Sequence, residues 1–204
     1  MNNTLIDNSI EALSMTATLR KCLAIDGIKT VSIATGYWDI PGLAILQENL
    51  RSFIEKDGTT LRLLIGKDPY IYANQLKSPK YKDANYPLDF IKTDIHELNV
   101  TEEYKDAIRL LLDYCTENND SKIQIRVFRK NENDETQFLH SKCYIFDGKS
   151  NGIGIGIVGS TNFTQKGLQG NAELNYIETA PNQVLSLDKI PGNKSHLIWF
   201  NEKW

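Results

Sequence analysis

Five side chains in this sequence have the types needed to cut a phosphodiester without a metal: His140, Lys142, Ser160, Asn162 and Glu173. A histidine can attack phosphorus, a lysine and an asparagine can hold the phosphoryl oxygens, and a carboxylate can orient an imidazole. The spacing is specific: His140-x-Lys142-x4-Asp147, then Gly159-Ser160-x-Asn162, then Glu173. His-x-Lys-x4-Asp alone arises by chance in on the order of one chain in a hundred of this length, so the downstream Gly-Ser-x-Asn carries much of the weight. Cys22, Cys115 and Cys143 are scattered and show no paired ligand spacing, so no metal and no cofactor are expected. His96 and His196 lack such companions and are read as structural.

The elements that must position these groups follow from periodicity. Phe138–Phe146 is rich in aromatic and β-branched residues and stops at Asp147-Gly148, a hairpin signal. Strand alternation puts His140, Lys142 and Tyr144 on one side and turns Asp147 away from His140, leaving Asp147 a turn or salt-bridge role. The next run, 152–158, alternates glycine with isoleucine. Its isoleucines fill a core, and its bare glycine face admits either the catalytic side chains and a phosphate, or a packed helix. Gly154-x-Gly156-x-x-Gly159, with Glu178 beyond it, also matches a dinucleotide fingerprint. That fingerprint requires a helix opening at its last glycine, whereas these glycines alternate within a strand, so the match is set aside.

This combination resembles the phospholipase D superfamily, whose members carry the HKD signature, and within it the small bacterial nuclease branch, in which one chain supplies one motif. That branch places a glutamate eleven residues after the motif asparagine, the interval from Asn162 to Glu173. The specific match covers about residues 138–179. The stretch from Asp147 to Gly159 is longer than the usual spacing, and Gly148–Gly152 reads as the extra turn.

The rest of the chain alternates helices and strands: a helix over 10–23, strands over 30–34 and 61–65, and helical spacing of Leu43, Leu46, Leu50, Phe53 and Ile54 between them. A helix follows at 102–115, with Thr101 as its cap and Ile108, Leu111, Leu112 and Cys115 on one face. Strands at 123–128 and 174–179 and short helices at 181–187 and 196–204 complete it. Strand–helix–strand units first and hairpins later give an α/β fold, a mixed β-sheet flanked by helices. That is the phospholipase D-like layout. The organisation expected is a catalytic domain over 1–190 with an irregular insertion at 67–100, then a C-terminal helix over 191–204.

In the insertion, lysines such as Lys77, Lys80 and Lys82 interleave with tyrosines, as in a surface that neutralises phosphates and stacks on bases. Four aspartates dilute the charge, and a solvated excursion explains the composition as well. The apolar ending Trp199-Phe-Asn-Glu-Lys-Trp204 reads either as a helix covering the sheet or as a join to a following domain. In the second reading it resembles proteins with a phospholipase D-like domain ahead of a superfamily 2 helicase.

Composition sets the class. The chain has 204 residues, with 41% hydrophobic and 24% charged, enough for one well-buried domain. Unpaired cysteines, an N-terminus without a cationic flank and the lack of a long apolar run point to the cytoplasm rather than a membrane. A net charge of −3 is no footprint for tight nonspecific DNA binding, so a nuclease here must concentrate its basic residues locally.

The resemblance implies a metal-independent DNA endonuclease working through a phosphohistidine. One histidine cannot both attack and protonate the leaving oxygen in one step, so a homodimer that shares its site is expected. Lys142 and Asn162 would hold the nonbridging oxygens, Ser160 would assist, and Glu173 would fix the imidazole tautomer. Two alternatives stand beside it. One is a nucleic-acid-binding and dimerisation module that cleaves weakly or not at all. The other is a phospholipid phosphodiesterase, disfavoured by the lack of an interfacial amphipathic helix and of a second motif.

Overall fold

The computed structural model describes residues 5–66, 102–115, 121–128, 138–186 and 194–204. Its centre is a seven-stranded sheet built from β1 (Leu5–Asp7), β2 (Thr30–Thr35), β3 (Thr60–Ile65), β4 (Ile123–Val127), β5 (Cys143–Asp147), β6 (Gly154–Gly159) and β7 (Leu174–Glu178). The spatial order is β1-β7-β6-β5-β2-β3-β4. β2, β3 and β4 run parallel, and β5, β6, β7 and β1 continue the sheet antiparallel. The sheet is therefore mixed, and the division follows the connections. Parallel neighbours need a crossover, which helices supply, whereas antiparallel neighbours can be joined by a tight turn. Between β5 and β6 that turn is a 3₁₀ segment, Lys149–Asn151, with Lys149 at φ 57° and Gly152 at φ 75°.

Helices α1 (Met15–Leu23), α2 (Ile40–Ile45), α3 (Gln47–Ile54) and α4 (Glu102–Tyr114) contribute to the larger of two cores. Met15, Leu19, Leu43, Leu50, Phe53 and Leu110 meet Ile33, Leu63, Tyr144, Ile155 and Ile157 of the sheet there. α5 (Pro181–Leu185) and α6 (His196–Lys203) bring Val184 and Phe200 to a smaller core with Ala34, Leu64, Cys143 and Ile145. Adjacent strand residues such as Ile33 and Ala34 fall into different cores, as strand alternation requires. Capping starts the helices: the Ser14 hydroxyl accepts from Ala17 N, Asp39 Oδ1 from Gly42 N, and the Ser195 hydroxyl from Ile198 N. Among the described residues no helix is long and apolar enough to cross a membrane.

Several expectations shift. The strand expected from Phe138 begins only at Cys143, because Phe138–Lys142 leaves the ladder to cross the ends of β2 and β3. The expected first helix breaks at Ser14, and the helical spacing of Leu43–Ile54 is split between α2 and α3 at Leu46. Leu112 is 72% exposed, since Ala107, Leu110 and Leu111 form the buried face of α4 and Leu112 lies about 100° beyond Leu111. β1 was not foreseen, three residues being too short for a periodic signal. The Thr101 cap, His96 and the insertion at 67–100 with Lys77, Lys80 and Lys82 lie outside the described residues.

The glycine run of β6 also resolves. A Cβ on Gly154 would stand 2.8 Å from Leu185 Cγ, and one on Gly156 would stand 3.0 Å from His196 Cδ2. The bare face is thus covered by α5 and α6 rather than by catalytic groups. His196 packs there with its Nδ1 3.3 Å from Gln183 O, the structural role expected of it.

Candidate active site

The site lies where β2 and β3 end and β5 begins. Gly36 follows β2 and Gly66 follows β3, and both lie beneath the segment carrying His140. A Cβ on Gly66 would be 2.3 Å from Leu139 O, and one on Gly36 would be 3.3 Å from both Leu139 O and the His140 ring. Two missing side chains let the backbone of the motif settle onto the sheet end. His140 itself is exposed, with its ring centroid 5.6 Å from Phe138 and 6.4 Å from Tyr37.

Lys142 is buried, at 7% exposure, and its Nζ donates to His140 O at 2.8 Å. Burial lowers its pKa, and the nearby Glu173 carboxylate acts in the opposite direction. Among the described residues Nζ makes no other hydrogen bond, which leaves two of its three ammonium hydrogens for an anion.

Asn162 is held by its carbonyl. Its Oδ1 accepts from Tyr37 N at 3.1 Å, and it stands 3.4 Å from the place a Gly36 Cβ would take. Because Oδ1 is anchored, the amide nitrogen is the end left to donate, and it has no protein partner among the described residues. Thr35 ties the same corner together: its hydroxyl donates to Tyr37 O at 2.7 Å and accepts from Phe163 N at 3.0 Å.

Ser160 and Glu173 both have partners within the chain. The Ser160 hydroxyl donates to Leu174 O at 3.3 Å and accepts from Leu174 N at 3.1 Å, so it clasps the β6–β7 junction. Glu173 accepts from Asn171 Nδ2 at 3.0 Å, and no hydrogen bond joins it to His140 within the chain. Its charge acts on Lys142. Asp147 caps its turn, accepting from Lys149 N at 2.6 Å. Gly159 lies where a Cβ would collide with Asn175 Oδ1 at 2.4 Å. Among the described residues no cluster of three or more His, Cys, Asp or Glu could hold a metal ion.

Sequence reasoning did not single out Thr35 and Tyr37 for the site. The signal available was a glycine directly after each of two neighbouring parallel strands, Gly36 and Gly66.

An exposed imidazole beside a buried ammonium and an anchored amide is an arrangement suited to a phosphoryl group. The family model described as "Cardiolipin synthase, PLD-like domain" matches residues 22–190. The chain therefore belongs to this phospholipase D-like family, within the phospholipase D-like phosphodiesterase superfamily. No curated protein matches it in sequence. Among solved structures it is similar to Nuc from Salmonella typhimurium, a phospholipase D family member, at 13% identity and TM-score 0.47, covering 87% of this chain and 83% of that one. NucT from Helicobacter pylori follows at 12% identity and TM-score 0.44, covering 87% and 84%. Yeast tyrosyl-DNA phosphodiesterase is similar at 13% identity and TM-score 0.41, covering 78% of this chain and 28% of that one.

Proposed function

We propose that the protein is a metal-independent DNA endonuclease that forms a phosphohistidine at His140 in a site shared by two copies. The observation that carries this reading is an exposed His140 imidazole, a Lys142 ammonium bonded to the His140 carbonyl, and an Asn162 amide nitrogen without a protein partner among the described residues. The His140 nitrogen attacks phosphorus as the bond from phosphorus to the leaving oxygen breaks. His140 of the second copy gives that oxygen a proton. In the second step a water attacks phosphorus, the phosphorus–nitrogen bond breaks, and the now neutral imidazole of the second copy takes the proton of the water. Lys142 and Asn162 hold the nonbridging oxygens. Glu173 keeps Lys142 charged against its burial.

A surface for the second copy borders the half-site. Leu5, Val158, Leu174 and Tyr176 are exposed, and ladder pairing sets Tyr176 opposite both Leu5 and Val158. These four side chains form one apolar strip on the sheet, beginning at Leu174, which is the next residue after Glu173 and holds Ser160. An apolar strip of this kind marks an association surface, and a half-site with one histidine needs a second copy there.

The test is cleavage of supercoiled plasmid and of a single-stranded oligonucleotide in excess EDTA, for wild type, His140→Ala and Tyr176→Asp. Wild-type cutting should survive chelation. His140→Ala should lose at least about a thousandfold in rate, as removal of a nucleophile does. Tyr176→Asp should elute as a monomer and lose cutting with it. Cutting abolished by EDTA yet retained by His140→Ala would sink the mechanism.

A further inference from the structure

Beside His140 opens a cleft of about 380 Å³, within the range of about 300–1,000 Å³ for small-ligand sites. His140 and the aromatic rings of Phe128, Phe138 and Trp199 line it, with the Phe138 and His140 rings 5.6 Å apart, and Lys203 is the cation among the lining residues. Among the described residues no acidic side chain lines it. Lys203 is exposed and makes no ion pair among the described residues, whereas Lys194 and Glu202, also at this end of the chain, pair with each other. Trp199 and Lys203 belong to α6, beyond the 22–190 stretch that matches the family.

α6 is held firmly enough to serve as a wall. Phe200 is fully buried in the smaller core, Arg62 lies over its ring at 4.9 Å, and Arg126 lies over Trp204 at 4.5 Å. Arg126 also donates to Trp204 O at 2.7 Å. Trp199 and Lys203 are one helical turn apart, at i and i+4, on the same face. A flat aromatic surface followed one turn later by a cation is the pairing that takes a base and a backbone phosphate.

We propose that this cleft is a subsite for one unpaired nucleobase adjacent to the phosphodiester under attack. Trp199 and Phe138 provide the stacking surfaces, and Lys203 neutralises a neighbouring phosphate. The inference deepens the nuclease reading of His140 by making the substrate single-stranded, because a base inside a duplex cannot enter the cleft without leaving its stack.

The test measures binding apart from turnover, using full-length His140→Asn protein and the anisotropy of a labelled thymidine pentanucleotide against a labelled hairpin duplex. The pentanucleotide should bind more tightly. Trp199→Leu should weaken it about tenfold, the loss of one stacked base, while Trp199→Phe stays within about threefold. Lys203→Gln should lower the salt slope of single-strand binding by about 0.7. Phe138→Leu probes the other proposed stacking residue and should weaken binding in the same direction, which covers misfolding of the Trp199 variant.

Equal affinity for both ligands would overturn the proposal, as would binding insensitive to Trp199→Leu and Phe138→Leu, or equal losses in Trp199→Leu and Trp199→Phe. Trp199-dependent binding to phosphatidylcholine vesicles with none to the oligonucleotide would replace it with a lipid site. Trp199-dependent oligonucleotide binding by a protein that cuts nothing would leave the subsite standing and sink the nuclease reading. Cutting of single strands and duplex alike, with binding indifferent to Trp199, would do the reverse.

Discussion

Two pairs of glycines on one sheet serve opposite ends. Gly36 and Gly66, just past β2 and β3, make room for the backbone and ring of the motif segment, with Leu139 O and the His140 ring above them. Gly154 and Gly156 of β6 make room for α5 and α6, with Leu185, Pro181 and His196 above them. By sequence the second pair is the more conspicuous, set in an alternating run next to the motif. The inconspicuous pair is the one that shapes the site. A bare patch on a sheet says that something approaches closely, and its position along the strand decides whether that is chemistry or packing.

Adding a methyl group at each position sharpens this difference. Gly66→Ala should have the largest effect, because its Cβ would meet backbone, Leu139 O at 2.3 Å and Gly36 O at 2.8 Å. Loss of stability should reach about 3 kcal/mol, the upper part of the overpacking range. Remaining folded protein should cut more than about a hundredfold more slowly, since a displacement of about 1 Å costs that much. Urea unfolding together with a cleavage rate would check both.

Gly154→Ala should cost stability alone. Its Cβ would stand 2.8 Å from Leu185 Cγ and 3.2 Å from Pro181 Cα, so α5 has to shift, at about 1–2 kcal/mol. Cutting per folded molecule should be unchanged, and a rate fall beyond about threefold would mean that α5 and α6 are coupled to His140.

Gly36→Ala should show the smallest total effect and the reverse pattern. The backbone there is not left-handed, and the tightest contacts are 3.3 Å, so unfolding should move by no more than about 0.5 kcal/mol. The imidazole must give way by a few tenths of an ångström, and kcat/KM should fall roughly three- to tenfold. If Gly36→Ala were active and Gly154→Ala inactive, the assignment of the two glycine pairs would be inverted.

Much of this architecture was legible beforehand. Every strand of five residues or more carries its own apolar signal, and the order of helix-joined and hairpin-joined strands was enough to state a mixed sheet. What failed were boundaries and faces. Phe138–Lys142 has strand composition, but β2 and β3 end beneath it and offer no further ladder. Leu112 has the right type for a core, yet the α4 face is centred on Ala107, Leu110 and Leu111. In the site, the spacing did not announce the intrachain partners: the Ser160 hydroxyl clasps Leu174, and the Glu173 charge acts on Lys142.

The sequence by itself determined the class: the histidine, lysine and asparagine of one motif, carried on adjoining stretches of chain whose local periods declare strand and turn. Those signals are short-range, so neighbouring residues suffice to express them. Only the tertiary structure decided what stands around His140. Tyr37 N meets Asn162 across 125 residues of chain, Gly66 lies under Leu139, and Trp199 walls the cleft from a helix that follows the whole sheet. Contacts between distant segments depend on where β2 and β3 end and β5 begins. No local pattern of residue types encodes that alignment.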